Sequence, residues 1–315
     1  MPHGMLVNGL HHVTATVADA QQDLDFYTKL LGMRLIKRTV NFDNSGVYHF
    51  YYGDGQGSPG TIMTTFPYKG KGVLAGVKGA GQVTLTTFSV PTGSLDFWRD
   101  RLARHGVSVS ERGRRFGEEV ITFGDPSGLI LEFAGCNDNR GDTWAADDIG
   151  TQNATRGIHS VTLVIQHPNS TLELLQEILG FEVLAEHDNR KRLGVRGGGP
   201  GRVLDVLHIQ DVSAGVNGLG TVHHVALAVA GDDEQRTIQE ELRRLGHNVT
   251  DVRDRNYFRS IYFREPGGVL LEVATEGPGF LVDEPREALG RKLMLPEWEE
   301  SRRAEIEAAL PDIHA

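Results

Sequence analysis

The sequence predicts an α+β protein assembled from four copies of one βαβββ unit. Three observations carry that prediction. A doubled histidine opens a strand-like run twice, as His11-His12-Val13-Thr14 and as His223-His224-Val225-Ala226; one order of strand, helix and further strands recurs four times; and every amphipathic helical stretch stops at a glycine.

The first copy runs from the strand 11–17 into a helix around Leu24 to Leu31, ending at Gly32, and continues through Tyr48-His49-Phe50-Tyr51-Tyr52 and Gly60-Thr61-Ile62-Met63. The second opens at Gln82-Val83-Thr84-Leu85, has its helix at 95–102 before Gly106, and closes on Leu129-Ile130-Leu131-Glu132-Phe133. The third opens at His159-Ser160-Val161, with a helix from Leu172 to Leu179 before Gly180. The fourth opens at His223-His224-Val225, has its helix from Ile238 to Leu245 before Gly246, and closes on Leu270-Leu271-Glu272-Val273. Apolar residues at three-and-four spacing make the helices amphipathic, and a glycine at each end supplies the left-handed residue of a C-terminal cap. Apolar or alternating runs make the strands, each with at least one covered face. Asp54 to Gly57 and Gly197 to Gly201 read as turns, the second as a hairpin turn and not a phosphate cradle.

At 315 residues, with 39% hydrophobic and 23% charged, the chain has room for two soluble domains, each with its own core. Polar or glycine-rich stretches at Lys69 to Gly81 and Cys136 to Gly157 read as links. The division expected is an N-terminal domain over 1–140, a linker over 141–156, a C-terminal domain over 157–283 and a helical tail over 284–315. A formal charge of -10 argues against a nucleic-acid partner, and the basic clusters Arg112 to Arg115 and Arg190 to Arg192 read as solvated loops. The single Cys136 excludes an internal disulfide and a cysteine-rich zinc module and suits a reducing compartment. No signal-peptide pattern or membrane-length apolar run is present, so the expectation is a cytoplasmic protein with no membrane contact. Sheet edges left by four modules leave room for a homodimer.

This organisation resembles the vicinal oxygen chelate, or glyoxalase/extradiol dioxygenase, superfamily, from about Gly9 to Glu276. The resemblance implies that the modules pair into two open barrel-like domains around a metal.

Repetition allows the copies to be compared. Overlaying them puts His12, Gln82, Ser160 and His224 at one place in the first strands, and Glu132 and Glu272 at one place in the last strands of copies two and four. Pairing modules in chain order leaves neither pair with two imidazoles. Pairing the first with the fourth gathers His12, His224 and Glu272, and leaves the inner pair with Gln82, Ser160 and Glu132. Two neutral imidazoles and one carboxylate form the facial triad that leaves open positions on a non-haem Fe(II). The second member of each histidine pair is taken as the ligand, because copy three keeps a histidine at the first position, His159, and has Ser160 at the second. Neighbours on a strand face opposite ways, so His11 and His223 are expected beside the site or in the barrel wall. Thr14, two residues after His12, shares its face and can orient a ligand or a water.

The phrase Asp254-Arg255-Asn256-Tyr257-Phe258-Arg259-Ser260-Ile261-Tyr262 before Glu272, the paired histidines, and the tail around Leu293 to Trp298 are similar to the hydroquinone-type ring-cleaving dioxygenase branch of that superfamily. The resemblance implies Fe(II), with Mn(II) as the alternative metal, held by His12, His224 and Glu272. It implies supporting roles for His11, Thr14, His223, Arg255 and Tyr262. The expected substrates are a small aromatic diol and O2. Two other functions share the fold: a glyoxalase-like metal-dependent isomerase or lyase, and a non-catalytic small-molecule-binding protein.

Overall fold

All four units form. The computed structural model describes residues 6–146 and 148–314. Copy one comprises β1 (Val7–Val17), α1 (Ala20–Asp25) running on into a π-helical turn Phe26–Leu30, β2 (Arg34–Asn41), β3 (Asn44–Gly53) and β4 (Ile62–Pro67). Copy two comprises β5 (Gln82–Pro91), α2 (Leu95–Arg104), β6 (Gly113–Arg115), β7 (Glu118–Gly124) and β8 (Ile130–Cys136). Copy three comprises β9 (Gly157–Ile165), α3 (Pro168–Glu177), β10 (Glu182–His187), β11 (Arg190–Gly194) and β12 (Val203–His208). Copy four comprises β13 (Thr221–Val229), α4 (Asp232–Arg244), β14 (Arg253–Asp254), β15 (Phe258–Arg264) and β16 (Leu270–Pro278). Short 3-10 turns and α5 (Arg303–Ala309) make the tail.

The helix ends obey the sequence. Gly32, Gly106, Gly180 and Gly246 have φ of 65, 75, 73 and 86°, a conformation that a side chain would strain. In α4, Ile238 and Leu242 face the core at a spacing of one turn, while acidic residues open the helix and Arg243 and Arg244 close it, complementing its dipole.

Among the described residues, sixteen strands make two eight-stranded sheets, in the orders β14-β15-β16-β13-β1-β4-β3-β2 and β10-β11-β12-β9-β5-β8-β7-β6. Each sheet curls into an open half-barrel. One joins copies one and four along the antiparallel β1–β13 seam, the other joins copies two and three along β5–β9. The barrels therefore cut across the chain-order domains 1–140 and 157–283. The physical reason lies in the connections: the links after β4 and after β12 cross from one sheet to the other and run side by side through bridges at Ala75–Leu219, Val77–Val216 and Ala80–Ala214. The stretch between β8 and β9 instead joins two copies of one sheet, and Asp148 in it binds Arg101 of α2 at 2.6 Å.

The tail packs along the edge strand β2 of the outer barrel. Buried Lys37 of β2 bonds Asp283 at 2.6 Å and also Glu284, and Trp298 meets Phe42 edge-on at 5.5 Å. Among the described residues, no helix is long and apolar enough to cross a membrane.

Candidate metal centre

The β1–β13 seam carries the site because two of the three shifts in its ladder fall at the histidine pairs. Leu10 pairs with Leu227 but His12 pairs with Ala226, so His11 is an extra residue in β1; Thr14 pairs with His224 but Ala15 pairs with Val222, so His223 is an extra residue in β13. Such bulges re-aim side chains. Here each brings both members of a histidine pair together: His11 Nδ1 lies 2.8 Å from His12 Nδ1, and His223 Nδ1 lies 2.7 Å from His224 Nδ1. One nitrogen of each such contact carries the proton and the other accepts it.

With Nδ1 occupied, His12 and His224 turn Nε2 toward each other, 3.3 Å apart. Glu272 arrives on β16, which runs parallel to β13 with Glu272 opposite Ala226. Its Oε2 is 3.3 Å from His12 Nε2 and 2.9 Å from His224 Nε2, and the three ligand atoms lie within 4.8 Å of one another. All three residues are buried. Ser260 donates to Glu272 Oε1, which fixes the carboxylate, whereas Oε2 receives no hydrogen bond. Two imidazole nitrogens and an unsatisfied buried carboxylate oxygen converging on one point form the donor set of a divalent cation.

The electrostatics agree. Burial alone would raise the Glu272 carboxyl, but the facing His12 and His224 outweigh it and hold it well below the usual range. Burial pushes His224 down, and pushes His11 and His223 down to about 3. Burial favours the neutral form of His224 beside an ionised Glu272, the protonation states that ligation requires.

A cavity of about 400 Å³ opens in front of the triad, a volume suited to a small ligand. His12, Thr14, His223, His224, Arg255, Tyr262 and Glu272 all line it. His11 does not; it is buried behind His12, edge-on to Phe258 at 4.9 Å. Thr14 lies opposite His224 and is bonded by Thr64 Oγ1 at 2.9 Å. Arg255 donates through Nε to the Tyr262 hydroxyl at 3.1 Å and reaches across the mouth to Asp43 of the β2–β3 turn at 3.0 Å. Burial raises the Tyr262 hydroxyl far above its ordinary range, so it is a neutral hydrogen-bond donor.

Two sequence readings change. By strand register, the counterpart of His224 in copy two is Leu85, not Gln82: Thr162 lies opposite Leu85 as Thr14 lies opposite His224. The bulge at Thr84 matches the one at His223, so Gln82 corresponds to Thr221 and not to a histidine; it fastens the crossing links, accepting from Gly79 and donating to Asn217. Second, Arg115, Arg190 and Arg192 are not solvated loops. Arg115 binds the buried Glu132, and Arg190 and Arg192 bind the buried Asp205 at 3.1 and 2.8 Å, so ion pairs fill the inner barrel where the outer one has its cavity.

Sequence reasoning also missed wall residues of the cavity, among them Asp43, His49, Phe66 and Tyr68. Their strands read as sheet packing. The one available signal was a polar residue, His49, set among aromatics in copy one.

The chain matches the model of the Glyoxalase/Bleomycin resistance protein/Dioxygenase superfamily over residues 9–133 and 157–273. MhqE of Bacillus subtilis (strain 168), whose name carries a provisional ring-cleaving dioxygenase assignment, is 43% identical over 312 residues, covering 98% of this chain and 100% of that protein. Chlorohydroquinone/hydroquinone 1,2-dioxygenase of Sphingobium indicum is 35% identical over 312 residues, covering 97% of each. Among solved structures, a provisionally assigned dioxygenase from Bacillus subtilis has a TM-score of 0.93 at 41% identity, covering 98% of both chains. Glyoxalase I from Zea mays has a TM-score of 0.63 at 14% identity over 85% of this chain and 92% of that one, a likeness of fold alone.

Proposed function

The chain belongs to the Glyoxalase/Bleomycin resistance protein/Dioxygenase superfamily, and from that we propose that it is an Fe(II)-dependent, extradiol-type ring-cleaving dioxygenase acting on a hydroquinone-type diol with O2. The observation that carries the reading is the convergence of His12 Nε2, His224 Nε2 and the unsatisfied Glu272 Oε2 at the base of a cavity with room for a substituted aromatic ring. Full-length similarity to a hydroquinone 1,2-dioxygenase supports the substrate class.

Fe(II) held by those three residues would supply open positions where a diol oxygen and O2 meet and exchange electrons; Mn(II) suits the same donors. The remaining roles belong to the chain. His11 and His223 hold His12 and His224 by Nδ1 and fix their ring orientation. Thr14 sits beside the ligands and can orient a bound hydroxyl. Arg255 brings a fixed positive charge against developing oxyanion character. Tyr262, neutral and tied to Arg255, donates a hydrogen bond at the substrate oxygen, and neutral His223 in the cavity wall, accepting from His224 at Nδ1, keeps its own proton on Nε2 as a donor. The isomerase alternative is the weaker one: among the described residues the ligand group contains a single carboxylate. Two finer expectations belong to this reading, a cytoplasmic location and a homodimer; the uncovered strand β10, with Val183 and Leu184 exposed, supports the second.

Oxygen-electrode assays of the iron-loaded protein test the proposal. Hydroquinone or its chlorinated and methylated forms should drive O2 uptake faster than catechol does. Turnover of a glyoxalase-type substrate without O2 uptake would contradict it.

A further inference from the structure

The two barrels share one register, so each wall residue of the outer barrel has a counterpart in the inner one. Glu272 corresponds to Glu132, each opposite the partner strand's Tyr262 or Thr122. Thr64 corresponds to Asp205, and Tyr51 to Arg192, by the pairs Tyr51–Thr64 and Arg192–Asp205. Two residues before these partners stand His49 and Arg190. In the inner barrel Arg190 spans the interior, donating to Asp205 at 3.1 Å and to Thr162 at 2.9 Å. In the outer barrel His49 makes the shorter reach, with Nε2 2.8 Å from Thr64 Oγ1, and Thr64 bonded onward to Thr14 at 2.9 Å.

The difference leaves one ring nitrogen to spare. With the Thr64 hydroxyl donating to Thr14, the His49 contact uses Nε2–H, the tautomer that leaves Nδ1 as a lone-pair acceptor. No hydrogen bond from the described residues reaches Nδ1, and His49 lines the cavity. Tyr51 and Phe66 pack on the ring with centroids at 4.1 and 4.3 Å, so its plane is fixed. Burial holds the imidazole well below its ordinary pKa, neutral at physiological pH. His49 is not part of the close ligand group, so it stands off from the triad in the same cavity.

We propose that His49 is a specificity-determining residue, which accepts a hydrogen bond through Nδ1 from the second hydroxyl of a para-diol whose first hydroxyl lies at the triad. The inference rests on the dioxygenase reading and adds to it the means of recognising the 1,4 pattern. A monophenol leaves Nδ1 unpaired, and a catechol places its second hydroxyl beside the first.

The test compares dissociation constants of hydroquinone and phenol, measured anaerobically by calorimetry on the iron-loaded full chain, for wild type, His49→Leu and His49→Phe. The Phe variant keeps the ring packing should the Leu variant lose metal or melt early. Wild type should prefer hydroquinone to phenol by about tenfold, the worth of one buried hydrogen bond. Both variants should lose that preference through weaker hydroquinone binding, with phenol binding and iron content held. A metal-loaded variant that keeps the wild-type ratio overturns the inference. Oxygen uptake by the wild type separates the two layers: no uptake with hydroquinone removes the dioxygenase reading, and uptake with an unchanged ratio removes only the role of His49.

Discussion

His11 Nδ1 and His12 Nδ1 lie 2.8 Å apart although the two residues are neighbours on one strand, and His223 and His224 repeat the contact at 2.7 Å. In a regular strand they would point to opposite faces. The extra residue that each bulge adds makes the contact and frees the far nitrogen of the second histidine for the site.

Removing this support should weaken the centre without abolishing it. His11→Ala or His223→Ala is expected to reduce metal affinity about 10- to 100-fold, as measured by competition with a fluorescent chelator. Unchanged affinity would mean that the pairs are packing contacts alone.

Tyr262 and Arg255 meet at 3.1 Å, and neither belongs to the ligand group. Tyr262→Phe should retain full metal content and lower kcat by about 100-fold or more, while a change in KM alone would assign it to substrate binding. Asp43→Asn frees the far end of Arg255; the pair is half exposed, so the melting temperature should hold while kcat/KM falls.

Much of this site was legible in the chain. The repeat, the glycine stops and the doubled histidines are local signals, and pairing the first copy with the fourth followed from counting imidazoles. Leu85 was passed over because an apolar residue carries no mark of a ligand position, although Gly81-Gln82-Val83 overlays Gly220-Thr221-Val222 without a gap and puts Leu85 on His224. Nor were the inner arginines. Arg190 and Arg192 look like a surface cluster until β11 places them against Asp205. His49 hid for the opposite reason: one polar residue in an aromatic strand reads as sheet packing until Thr64 is seen beneath it.

The inner barrel offers a stability test. Glu132 is buried and bound by Arg115, so Arg115→Met should leave an uncompensated charge and cost about 3 to 5 kcal/mol by urea denaturation. Metal content of the folded variant should not change. An effect below about 1 kcal/mol would show that Thr87 and Thr122, the other donors to Glu132, suffice.

A pH test comes from Asp23, buried between the Tyr52 and Thr65 hydroxyls and raised by burial from 3.8 to about 7. Between those values the folded chain holds more protons than the unfolded chain, so this group's contribution is greatest at low pH and is lost as pH rises through 7. Asp23→Asn removes the dependence, and its melting temperature should gain on wild type between pH 5 and pH 8. A difference that is flat with pH would show Asp23 to be ionised throughout.

The outermost copies of the chain are expected to hold one cation between His12, His224 and Glu272. Metal stoichiometry after anaerobic Fe(II) loading and desalting, by plasma mass spectrometry, tests it most directly. One iron per chain is expected in the wild type and in Gln82→Ala, and close to none in His12→Ala, His224→Ala and Glu272→Ala, each checked for folding by circular dichroism. A folded variant of any of the three that still carries one iron per chain would contradict it.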